Sequence, residues 1–105
     1  ETVVINFRGL ADAGLATPKI YNAINPDDAL EAMTYVYNRY CKEQNKKVFA
    51  VGLSTGGNIL AHLMAKLGDD TFITAACALC IPSDLKVCVK ELQIPMRGFY
   101  NRMVG

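Results

Sequence analysis

The sequence predicts an α/β chain in which parallel strands alternate with helices in the order β-α-β-α-β, with helices at the flanks. Three observations carry that prediction. Apolar runs recur at 2–7, 47–53 and 73–81, and segments with helical spacing separate them. The middle run passes straight into the second helical segment through Gly52-Leu53-Ser54-Thr55-Gly56-Gly57. Alternation of this kind implies parallel strands joined by right-handed crossovers.

Each element has a local reason. Thr2-Val3-Val4-Ile5-Asn6-Phe7 is β-branched and bounded by Arg8-Gly9, which reads as a strand followed by a turn. The stretch 8–25 contains Gly9, Gly14 and Pro18 without sustained periodicity. A loop of that length points to a functional surface or a contact with other parts. A helix is expected next: Asn25 can cap it, Pro26 suits its first position, and Asp27 and Asp28 favour its positive end. Leu30, Met33, Tyr37 and Tyr40 then form one buried stripe, with Asn38, Arg39, Glu43 and Gln44 on the wet side.

Lys47 to Leu53 is the second strand, a nearly unbroken apolar run as expected when both faces are covered. The helix after it spans Thr55 to Leu67, puts Leu60, Leu63, Met64 and Leu67 on one face, and stops at Gly68. Ile73 to Ile81 is the third strand, again apolar on both faces. Pro82-Ser83-Asp84 breaks it, a short helix follows over 85–92, and Pro95 and Gly98 interrupt the tail.

The bulk numbers narrow the function classes. A chain of 105 residues holds one domain at most. Eleven basic against ten acidic residues create no field for nucleic acid or anionic lipid. The basic cluster Lys42, Lys46 and Lys47 falls at a helix end and reads as a solvated turn. The apolar run from Phe72 to Pro82 is far short of the roughly 20 residues that a membrane span requires. Cys77 and Cys80 are spaced C-x-x-C inside a strand, where residues three apart point to opposite faces and their sulfurs cannot meet. With Cys41 and Cys88 they read as buried reduced thiols, suited to a reducing compartment, and not as a metal or disulfide pattern. The chain opens at Glu1, almost directly into a strand, and is expected to belong to something longer.

The chemistry lies in Gly52-Leu53-Ser54-Thr55-Gly56, a G-x-S-x-G between a strand and a helix. This is the pattern of the nucleophile elbow of α/β-hydrolases. The turn strains the serine backbone and leaves neighbouring positions no room for a Cβ, a need that Gly52 and Gly56 meet. The helix N-terminus lies under Ser54, so its free N–H groups can face an oxyanion there.

The match extends further. Asn6-Phe7-Arg8-Gly9, Thr17-Pro18-Lys19-Ile20-Tyr21-Asn22-Ala23, Asp27-Asp28 and Gly52 to Leu60 occur in one order and spacing. Together they resemble the EMB8-like α/β-hydrolase branch of YheT-type hydrolases, abhydrolase-domain proteins 1 and 3 and yeast medium-chain ester synthases. Glu91 to Pro95 and Phe99 to Met103 resemble the segment leading into that family's lid. The resemblance covers nearly the whole chain but only the middle of a family member. It implies one partial core segment over 1–105, with a strand and helix core at 1–92 and the approach to the lid at 93–105. It also implies acyl esters of lipids or alcohols as substrates, a Ser-Asp-His triad, and no metal or organic cofactor.

In that alignment the three strands correspond to family strands four to six, and the family's third strand, which lies between the fourth and fifth, is absent. The first strand must then either leave a gap beside 48–53 or pair there directly. Unpaired backbone on apolar strands is costly, which favours a segment whose partner is the remainder of a hydrolase domain.

Candidate site residues follow. Ser54 is the expected nucleophile and the backbone N–H of Thr55 one oxyanion donor; the second donor, the triad Asp and the triad His are expected outside the chain. His62 lies eight residues along the helix from Ser54, about 12 Å at helical rise, too far for direct proton transfer. Asp84 follows the third strand, where a few α/β-hydrolases hold the triad acid, but it equally suits capping the next turn. Arg8 and Asp12 fall in the loop near the expected mouth of the site, or make turn and surface contacts. A nucleotide site is disfavoured, since G-x-x-x-G-G matches neither phosphate-binding glycine pattern. The rival reading is a catalytically inactive, truncated or pseudo-hydrolase segment with a packing or assembly role.

Overall fold

The computed structural model describes residues 1–10, 14–93 and 102–103. Helix α1 (Asp27–Val36) continues into a π-helical turn at Tyr37–Cys41, followed by strand β1 (Phe49–Leu53), helix α2 (Thr55–Leu67), a 3₁₀ turn at Gly68–Asp70, strand β2 (Ala75–Leu79) and helix α3 (Leu85–Gln93). The two strands are parallel, in register from Phe49 opposite Ala75 to Leu53 opposite Leu79. A partial α/β fold with flanking helices is therefore in place. The approach to the lid expected from 93 onward falls largely outside the described residues.

Among the described residues the sheet has two strands, not the three expected. Residues 1–7 form no strand, and Val3 and Val4 are exposed. β-branched sequence makes a strand only where a neighbour accepts its ladder, and β1 pairs with β2 alone. Direct pairing of 2–7 beside β1 is thus excluded.

α1 begins one residue later than its start signal. Pro26 occupies the cap, and Asn25 Oδ1 accepts from the Asp27 N–H at 2.9 Å. The π turn has a packing consequence. Lys42 N–H donates to the Tyr37 carbonyl across five residues at 2.9 Å, which widens the turn. Tyr37 stacks on Phe72, with ring centroids 4.8 Å apart, whereas Tyr40 leaves the expected stripe and stands exposed. Asn45, in a left-handed conformation its side chain tolerates, leads on toward β1.

α2 has the expected bounds, and Gly68 at φ 53 ends it with its N–H donating to the Met64 carbonyl. Its inner face meets the sheet. Leu60 and Leu63 form a buried cluster with Ala50 and Ile73, against which Leu30 and Met33 of α1 and Met64, Leu67 and Phe72 pack. This cover lies on one side only. Along β1, Ala50 and Gly52 are buried, while Phe49, Val51 and Leu53 on the opposite face are each more than 60 % exposed. The expected cover on both faces is therefore corrected: among the described residues, helices line one face. The cysteines follow suit. All four are free, but Cys77 and Cys80 are exposed and Cys41 and Cys88 half-buried, not sunk in a core; Cys77, in register with Val51, lies on the open face of the sheet.

Two ion pairs converge on the first turn of α1. Lys66 Nζ donates to Asp27 Oδ1 at 2.6 Å, tying α2 to α1. Arg8 grips both carboxylate oxygens of Asp28. The hydrogen bond from Lys66, reinforced by its charge, lowers the Asp27 pKa below the ordinary carboxylate value. A depressed pKa means that the tie contributes above the ordinary value and is lost as pH falls through the lowered one.

Two outcomes are expected. In a chemical-shift titration the Asp27 midpoint rises toward the ordinary carboxylate range in Lys66→Met; an unmoved midpoint removes the ion pair as its cause. Leu63, fully buried, should cost about 2–5 kcal/mol on change to Ala, read from the shift in a denaturant midpoint.

Candidate active site

Ser54 stands at the corner between β1 and α2. Its backbone has φ 52 and ψ −120, a region that side-chain-bearing residues rarely occupy and that costs on the order of 1–3 kcal/mol. Two main-chain bonds hold it there. Ser54 N–H donates to the Leu79 carbonyl at 2.9 Å, extending the ladder past β1, and Asn58 N–H donates to the Ser54 carbonyl at 3.1 Å as the first turn of α2. The residue itself is exposed.

Glycine makes this corner possible. A Cβ at position 52 would lie 2.5 Å from the Gly56 carbonyl oxygen and 2.7 Å from Gly57 Cα. A Cβ at position 57 would lie 3.0 Å from the Gly52 carbonyl oxygen and 3.3 Å from that of Leu79. A Cβ at Gly56 would meet nothing within 4 Å. The crowding expected at 52 and 56 is therefore found at 52 and 57. The first turn of α2 lays Gly57, not Gly56, against the strand. The doubled Gly56-Gly57 is the feature of the sequence that marks this contact.

Thr55 opens α2, where backbone N–H groups have no intrahelical acceptor. Directly after β2, Cys80 also has positive φ, at 53, and no feature of the sequence marks it.

Set beside known proteins, the chain finds relatives along most of its length. It is 32 % identical over 101 residues, 96 % of the chain, to the embryogenesis-associated protein EMB8 of Picea glauca. Similar matches are phospholipase ABHD3 of Homo sapiens, 30 % over 90 % of the chain, and medium-chain fatty acid ethyl ester synthase/esterase 2 of Saccharomyces cerevisiae, 33 % over 81 %. This chain belongs to the abhydrolase family. It spans 21 %, 22 % and 18 % of those three relatives, about a fifth of their length. No family model matches it, and no solved structure does.

Within this abhydrolase segment the other candidates separate from Ser54. His62 is exposed on α2, well along the helix from the corner. Asp84 caps α3: its Oδ1 accepts from the Lys86 N–H at 2.9 Å and the Val87 N–H at 3.0 Å. Arg8, expected near the mouth of the site, lies elsewhere. It binds Asp28, next in sequence to the Asp27 held by Lys66, and Lys66 sits at the opposite end of α2 from Ser54. Asp12 lies outside the described residues.

Substitution separates the glycines. Gly52→Ala should unfold the chain or destabilise it beyond about 3 kcal/mol, because backbone has to move. Gly56→Ala should be neutral or stabilise by up to about 1 kcal/mol through helix propensity. Thermal or denaturant unfolding reads both, and equal effects at the two positions would refute the assigned packing.

Proposed function

We propose that Ser54 is the nucleophile of a serine hydrolase or acyltransferase acting on acyl esters. The observation that carries this reading is the Ser54 backbone, φ 52 and ψ −120, at a strand-to-helix corner with the residue exposed above the start of α2. That conformation is strained, and strain of this kind persists where the surrounding structure imposes it. The G-x-S-x-G setting is that of a nucleophile elbow.

In this mechanism Ser54 Oγ attacks the acyl carbonyl carbon as a base takes its proton. The carbonyl oxygen becomes an oxyanion, and the Thr55 N–H at the head of α2 donates to it. The acyl group passes to Ser54 as the alcohol leaves. Water then releases the acid, or a second alcohol takes the acyl group. Gly52 and Gly57 let α2 approach β1 closely enough to aim its N-terminus at this point.

The base and the acid come from other parts of the protein. His62 is the only histidine in the sequence and is too remote, and Asp84 is engaged at its cap. Relatives named as a phospholipase and as an ethyl ester synthase/esterase support acyl esters, lipid or medium-chain, as the substrate class. No helix among the described residues is long and apolar enough to cross a membrane. The lack of a base within reach of Ser54 among the described residues favours a second reading for the polypeptide by itself, an inactive segment that packs within a larger assembly.

A fluorophosphonate probe decides between the two. The full-length protein should be labelled, and Ser54→Ala should abolish the label, while the 105-residue chain should react slowly or not at all. A folded full-length protein that resists labelling would overturn the enzymatic reading.

A further inference from the structure

Among the described residues, three that carry side chains have positive φ: Asn45, Ser54 and Cys80. Asparagine is enriched in that conformation, whereas a cysteine takes it where its surroundings impose it. Ser54 and Cys80 are neighbours. β1 and β2 stay in register to Leu53 opposite Leu79, and Ser54 and Cys80 each stand one residue beyond, at φ 52 and 53.

The bonds at this point show what the turn at Cys80 does. Ser54 N–H donates to the Leu79 carbonyl at 2.9 Å as the last rung of the ladder. In an unbroken parallel ladder the Ser54 carbonyl would next accept from the Ile81 N–H. It accepts instead from the Asn58 N–H at 3.1 Å, as α2 begins. The chain after Leu79 therefore leaves the ladder, and Cys80 is where it leaves. It stays against the helix. A Cβ on Gly57 would lie 3.3 Å from the Leu79 carbonyl oxygen and 3.4 Å from Ile81 Cγ2, so the residues on either side of Cys80 both rest on the first turn of α2.

The Leu79 carbonyl belongs to the rigid peptide unit between Leu79 and Cys80, and φ of Cys80 is the rotation at one end of that plate. With Ile81 seated on Gly57, a change of φ at position 80 turns the carbonyl relative to the Ser54 N–H. We propose that the turn Leu79–Ile81 is a positioning element for Ser54, with Cys80 as its pivot: positive φ at 80 aims the Leu79 carbonyl at the Ser54 N–H and so holds the serine backbone in the conformation from which it attacks. This role rests on the reading of Ser54 as the nucleophile. It belongs to the backbone, and the Cys80 thiol takes no part. Every contact that carries it lies between residues 53 and 81.

Two readouts on the full-length protein test this. One is hydrogen exchange at the Ser54 amide, taken relative to the Leu60 amide within α2. The other is the rate of fluorophosphonate labelling at saturating probe. Cys80→Val puts a β-branched residue where positive φ is an outlier. It should speed the relative exchange and slow the labelling, each roughly ten-fold, the scale of one backbone hydrogen bond. The probe concentration giving half the maximal rate should stay the same. Cys80→Ala should match the unaltered protein in both readouts, and so should Cys80→Gly, for which positive φ is unstrained. Leu63→Ala, which weakens the core as a whole, should speed exchange at Ser54 and Leu60 together and leave their ratio unchanged. Ile81→Ala, which removes the seat on Gly57, should move both readouts in the direction of Cys80→Val and serves if that variant does not fold. A relative exchange unmoved by Cys80→Val and Ile81→Ala overturns the proposal. So does faster exchange with labelling unchanged, or a Cys80→Ala variant as impaired as Cys80→Val, which assigns the effect to the thiol. A folded, unaltered protein that resists the probe overturns the nucleophile reading instead, and the exchange ratio then still decides whether position 80 sets the Ser54 backbone.

Discussion

The structure hinges on how closely α2 lies across β1. Two glycines, Gly52 in the strand and Gly57 in the helix, remove the Cβ atoms that would otherwise hold the backbones apart. With that contact made, the chain has a single residue, Ser54, in which to turn from strand to helix, and a left-handed backbone is what the turn demands. β2 completes the lock. Its last carbonyl, Leu79, takes the Ser54 N–H and stands against Gly57. The strand, the helix and the strained serine between them thus meet at one backbone-to-backbone approach.

The remaining organisation grades outward from that contact. Behind it lies the apolar cluster of Ala50, Leu60, Leu63 and Ile73, closed by Leu30 and Met33 of α1. Farther out, cohesion becomes ionic. Asp27 and Asp28 head α1 side by side, where the helix field favours negative charge, and each receives a cation from a different part of the chain. Lys66 thereby links α2 to α1, and Arg8 links the stretch 1–10 to it.

The sheet is half-clad. Phe49, Val51 and Leu53 look outward from β1, and Leu79 does so from β2. Parallel sheets are found with helices on both sides, and the apolar run of β1 is written for that setting. In abhydrolase relatives this chain corresponds to about a fifth of the length. On the proposed mechanism the chemistry is divided in the same way: the corner presents a hydroxyl and one oxyanion donor, and the remaining catalytic groups approach from elsewhere.

Local sequence determined the elements whose cause is local. Helix α2 begins and ends where Thr55 and Gly68 indicate, because the glycine and the corner act within one turn. The capping oxygens of Asn25 and Asp84 work over two or three residues, and both were legible. The apolar face of α2 was legible too, since helical spacing alone puts Leu60, Leu63, Met64 and Leu67 together. Only the tertiary structure decided the rest. Whether 2–7 is a strand depends on a ladder partner, which no periodicity can supply. Whether Cys77, Phe49 and Val51 are buried depends on what covers a sheet face. That Gly57 bears the close contact, that Tyr40 turns out past a π turn, and that Arg8 meets Asp28 and not the serine site are all matters of what lies opposite in space. A sequence records such facing surfaces only through residues far apart along the chain.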